Sequence, residues 1–177
     1  MSEGNSLDPG TRRLYLIIAW ISLATIVAVS FYGLIAWLAG HSEVVGQQLV
    51  DVYWPYPPYF AQPVTYFSVA CVALAYTGLR LSDGTVRKWP RGVLSVLTLV
   101  GFIVAFSSAY EVLYNFMLWG STYSIACSHA VCDPDVIIST YPVPWNLVFA
   151  TRAFSALFVV SGYSVYYLRR LTNSPTL

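Results

Sequence analysis

The sequence predicts an all-α integral membrane protein: a four-transmembrane-helix antiparallel bundle, N-in/C-in, with two extracytoplasmic loops and a single membrane domain over residues 1–177. Three observations predict it. Of the 177 residues, 57% are hydrophobic and 10% charged, against about 25% charged in an ordinary soluble domain. Four apolar stretches are each long enough for the roughly 30 Å hydrocarbon core, which takes about 20 helical residues. Finally, eight of the nine Lys and Arg residues fall at or just beyond the ends of those stretches, all on one side.

The elements follow in order. Residues 14–39 form the first span, preceded by Arg12 and Arg13. It is too long for a signal-peptide core and no small-x-small cleavage pattern follows, so it reads as an uncleaved helix. In the loop that follows, residues 43–53 suit a short interfacial helix, with partial amphipathic support from Val44, Val45, Leu49 and Val52. Next comes Trp54-Pro55-Tyr56-Pro57-Pro58-Tyr59, an extended and stiff segment because proline fixes φ and blocks helix. The second span covers 60–81 and the third 92–119, with Arg80, Arg87, Lys88 and Arg91 bracketing the short connection between them. Residues 145–168 make the fourth span, followed by Arg169 and Arg170.

Loops 40–59 and 120–144 hold no Lys or Arg but carry Glu43, Asp51, Asp133 and Asp135. The positive-inside rule then puts both termini in the cytoplasm of a multi-pass protein, with the plasma membrane as the expected location. Aromatic residues agree. Trp37, Trp54, Trp119 and Trp145 mark the outer boundary, and Tyr15, Trp89, Tyr166 and Tyr167 the inner one. Rings with an apolar body and a polar tip favour that level.

Two ionisable residues lie within spans, Glu111 and Arg152. Such charges cost about 2.5–3.5 kcal/mol each on insertion scales and tend to face the bundle or pair. Glu111 precedes Trp119 by eight residues, roughly 12 Å, and Arg152 follows Trp145 by seven, roughly 10 Å. Adjacent antiparallel helices would bring them level, so an ion pair is expected, with Asn115 beside it. Gly101, Ala105 and Ala109 add a ladder of small residues that lets helices approach closely. One reading makes Glu111, Asn115 and Arg152 a structural pin. The other makes them a polar site for a proton, an ion or a polar ligand.

The chain has three cysteines and two histidines. Cys71 is mid-span and reads as a small packing residue. Cys127 and Cys132 fall in the second outer loop, where a disulfide is the default in an oxidising compartment. The same loop carries His129, Asp133 and Asp135, which with the two thiols offer ligands for zinc or copper. Zinc sites ordinarily show tighter paired spacings, so no metal site is assigned. His41 stands apart in the first loop.

Function classes are narrowed mainly by exclusion. Length, four spans and outer cysteines are similar to the disulfide-bond-forming quinone reductases and vitamin K epoxide reductases. Those families relay electrons through two cysteine pairs, whereas this chain offers Cys127 and Cys132 plus an isolated Cys71. Leu118-Trp119-Gly120 followed by Cys127 and Cys132 resembles the claudin signature but sits in the second loop, not the first. Intramembrane haem would need histidines within the helices, and no phosphate-cradling loop, HExxH or nucleophile elbow is present. A net charge of +1 gives no basis for nucleic-acid binding.

The expectation is a non-catalytic four-helix subunit or scaffold of a larger membrane assembly, such as a respiratory or oxidoreductase complex. It would have no cofactor, and as partners the lipid bilayer and other membrane subunits or its own copies. The alternative is a small transporter or channel working at Glu111, Asn115 and Arg152.

Overall fold

The computed structural model describes residues 7–41, 44–54, 62–129 and 145–173. Their regular structure is helical, with no strand among the described residues, and four helices are long and apolar enough to cross a membrane. The long helices are α1 (Pro9–Leu38), α3 (Pro63–Leu81), α5 (Arg91–His129) and α6 (Trp145–Asn173). Two single-turn helices, α2 (Gln48–Asp51) and α4 (Asp83–Val86), lie in the connections.

Helix ends follow local chemistry. Asp8 caps α1 by accepting from Gly10 N at 3.1 Å and Thr11 N at 3.4 Å, with Pro9 in the first turn where its missing N–H costs nothing. At the other end, Gly40 adopts φ 75° and its N–H donates to Trp37 O at 3.0 Å. His41 N donates to Ala36 O at 3.0 Å, completing a Schellman stop that needs a residue without Cβ.

α5 departs from expectation. Residues 120–129 continue it, so the helix runs ten residues past the end that the hydropathy suggests. No proline occurs before Pro134 to stop the helix. The polar side chains satisfy themselves on the helix's own carbonyls: Ser121 and Thr122 donate to Leu118 O at 2.8 and 3.0 Å, and Ser128 to Ile125 O at 2.7 Å. At 39 residues α5 is about 58 Å long, roughly twice the hydrocarbon core.

The long helices form an open row in the order α1, α3, α6, α5, with no contact between α1 and α5 among the described residues. α5 and α6 run antiparallel in a fixed register. Asn115 Nδ2 donates to Thr151 Oγ1 at 3.2 Å. Fourteen residues earlier on α5 and fourteen later on α6, a Cβ on Gly101 would stand 2.9 Å from Val165 Cγ2. The α5 face in this seam repeats every seven residues (Leu94, Gly101, Ser108, Asn115), with Thr98, Ala105 and Val112 between. That is the heptad of coiled-coil packing, and here small or hydroxyl residues let the backbones close.

α3 and α6 are parallel. Arg152 meets Thr65, and eleven residues further along both helices Tyr163 meets Tyr76 with ring centroids 4.8 Å apart. Two antiparallel pairs, α1–α3 and α5–α6, thus lie side by side through α3 and α6. The starts of α1 and α5 and the ends of α3 and α6, which carry the basic residues, gather at one end of the molecule, called the basic end below; the other is the far end.

At the far end α2 packs Leu49 and Val50 against Val29 of α1 and Val64 of α3. Trp54 is wedged between Tyr32 and Tyr66, centroids 5.6 and 5.3 Å away. The interfacial helix expected over 43–53 is reduced to this one turn, and its valines Val44 and Val45 are exposed. The Pro-rich segment 55–59 lies outside the described residues.

Candidate functional site

Because α1 and α5 do not meet, the row leaves a groove between them, floored by α3 and α6. Its volume is about 1060 Å³, the upper end of the roughly 300–1,000 Å³ usual for small-molecule sites. Val69, Val72 and Ala73 of α3 and Val159 of α6 make the middle apolar, with Ile18 contributed by α1. Polar groups are confined to its two ends.

At the far end Arg152, Asn115, Thr151 and Ser155 line the groove. Arg152 reaches across to the first turn of α3: Nη1 donates to Thr65 Oγ1 at 2.7 Å and Nη2 to Gln62 Oε1 at 3.0 Å. Gln62 is fixed in turn, its Nε2 donating to Val50 O at 2.9 Å in a buried setting. Side chains lean towards the N-terminus of their helix, which carries the guanidinium from its Cα towards the far end. It therefore stands beside Gln62, the N-cap of α3.

The ion pair expected between Glu111 and Arg152 is not formed, and no carboxylate of the described residues lies within ion-pair distance of Arg152. The reason is angular. Asn115 of α5 meets Thr151, and one further residue turns Arg152 about 100° round α6, away from α5 and towards α3. Glu111 is one turn of α5 from Asn115, level with Ser155, on the flank of the seam beside Val112 and partly buried. The structure brings Asn115 and Arg152 to one groove and leaves Glu111 out of its lining.

At the basic end the groove closes on Tyr15 and Tyr76, whose rings meet edge to face at 6.0 Å. Arg80 lies over the Tyr76 ring at 5.6 Å, a cation–π contact. Tyr163 stacks on Tyr167 at 6.3 Å, and the Tyr167 hydroxyl donates to Asp83 Oδ1. Asp83 also pairs with Arg87, Nε to Oδ2 2.7 Å. Burial tends to raise the Asp83 carboxyl, but the hydrogen bonds from Arg87 and Tyr167 outweigh it and hold the group below the usual carboxylate value. Sequence reasoning missed this cluster. The signal was there in the i,i+4 spacings Tyr76/Arg80, Asp83/Arg87 and Tyr163/Tyr167, but Tyr167 was read as a boundary anchor, Arg80 and Arg87 as orientation charges, and Tyr76 and Asp83 were not singled out.

The remaining sequence candidates are placed as follows. Cys71 is a free thiol, partly buried beside an apolar recess of about 270 Å³ between α3 and α6. Cys127 lies in the last turn of α5, and the backbone of His129 ends that helix. Cys132, Asp133 and Asp135 lie outside the described residues, and with them the expected Cys127–Cys132 disulfide and the weaker metal reading. Among the described residues no cluster of three or more His, Cys, Asp or Glu side chains could hold a metal ion. Compared with known proteins, the chain matches no family model, no curated protein and no solved structure.

Proposed function

We propose that this chain is a non-catalytic four-helix membrane subunit, a scaffold within a larger assembly in the plasma membrane, with both termini cytoplasmic. The observation that carries the reading is the open row: among the described residues α1 and α5 each have a single long neighbour, which leaves an edge of each helix uncovered. α5 also runs about eight residues past the level of Trp145, where α6 starts, with none of the other described long helices beside that stretch. The gathering of eight basic residues at one end supports the cytoplasmic assignment. Cys127 and Cys132 are assigned a disulfide on the opposite side. Alkylation of unfolded, unreduced protein is then expected to label Cys71 alone, and three labelled cysteines would refute the bond.

The test is mild-detergent purification from native membrane followed by intact-complex mass spectrometry. Stoichiometric membrane subunits, or a defined homo-oligomer, support the reading. A lone chain that carries solute flux in liposomes, lost in Glu111→Gln, would replace it with the transporter reading. The separation of Glu111 from the groove argues against that alternative.

A further inference from the structure

We infer that the groove between α1 and α5 is a binding site for one anionic phospholipid, with its phosphate at Arg152 and an acyl chain along the apolar floor. Three features of the groove converge on this class of ligand. The first is charge. Arg152 lines the groove with its guanidinium hydrogen-bonded to two neutral groups and to no carboxylate among the described residues. Thr65 and Gln62 orient the guanidinium but leave its charge uncompensated, and further N–H donors remain for an anion. The nearby N-terminal end of α3 contributes a field of the same sign.

The second feature is length. From Thr65 beside the guanidinium to Tyr76 at the closed end is eleven residues of α3, or about 16 Å. That run starts beside the Arg152 guanidinium near the far end of α3 and passes the mid-span level of Cys71 before it reaches Tyr76, an apolar path for the methylenes of one acyl chain. The third feature is the order of its lining. The second N–H of the Asn115 amide suits an ester oxygen near the head, Val69, Val72 and Val159 suit methylenes, and Tyr15 on Tyr76 closes the end.

This inference stands apart from the subunit reading, since a lipid can occupy the groove whether or not another subunit joins. The test is native mass spectrometry of the full chain in detergent, titrated separately with phosphatidylglycerol, phosphatidylcholine and inorganic phosphate. One retained phosphatidylglycerol per chain is expected, with retention falling roughly tenfold in Arg152→Gln, about the effect of one charge-assisted contact, and partly restored in Arg152→Lys. Val69→Trp, which fills the groove from an exposed position, is expected to expel the lipid with Arg152 intact. It keeps the test decisive if Arg152→Gln fails to fold. Equal retention of both lipids, or retention unchanged in Arg152→Gln and Val69→Trp, would overturn the site. So would an Arg152-dependent phosphate adduct without lipid, or a polypeptide displaced by Val69→Trp.

Discussion

The two ends of the groove handle charge in opposite ways. At the basic end, Asp83 is paired with Arg87 and takes a hydrogen bond from Tyr167, so this carboxylate is met by its own chain, while the buried Arg80 Nε and Tyr163 hydroxyl nearby have no hydrogen-bond partner among the described residues. At the far end, Arg152 is held by Thr65 and Gln62, with no carboxylate of the described residues within ion-pair distance. A carboxylate satisfied by its own chain fastens a fold. A cation oriented by neutral groups, in a lined cavity, is left with capacity for something outside the chain.

Substitutions at each end test that contrast. The largest loss of stability is expected from Asp83→Asn, about 1.5–3 kcal/mol for hydrogen bonds to a charged group, read as a lower melting temperature in detergent. Acidification sharpens the point. The folded Asp83 carboxyl is held low, so its stabilisation is present above the unfolded carboxylate value of about 4 and is lost as pH falls through the folded value. Melting of Asp83→Asn is therefore expected to depend less on pH below about 4 than melting of the parent, and parallel curves would break the account.

Smaller effects belong to the far end. Asn115→Ala removes the interhelical bond to Thr151, worth about 0.6 kcal/mol in membrane proteins, while Thr151 keeps its own bond to Leu147 O at 2.8 Å. Arg152→Gln is expected to move melting by less than Asp83→Asn, because it removes an uncompensated charge together with two hydrogen bonds. The smallest change is expected for Glu111→Gln, within about 0.5 kcal/mol. A loss above 2 kcal/mol there would show a partner for Glu111 that the groove does not supply.

How much was legible in the sequence differs from residue to residue. The four spans and their charged flanks could be read, because hydropathy and basic residues are ordered along the chain. The small-residue ladder through Gly101 and Ala105 also marked a contact face, and that face packs on α6. The end of α5 was misjudged because Ser121, Thr122 and Ser128 lower the hydropathy while bonding back to their own helix. Arg152 was given the right span and the wrong neighbour. Trp54 was read as a ring at the outer boundary, and its partners there, Tyr32 and Tyr66, were not legible.

By itself the sequence determined which segments are helical and apolar and which ends carry the positive charge, since both depend on position along one axis. Only the tertiary structure decided that α3 and α6 lie side by side and parallel, that α1 and α5 stay apart, and that Arg152 turns to Thr65 and Gln62. Those outcomes depend on azimuth, where one residue turns a side chain by about 100°, and on which helix happens to stand there. Depth is written in the chain, whereas the choice of neighbour is settled by packing.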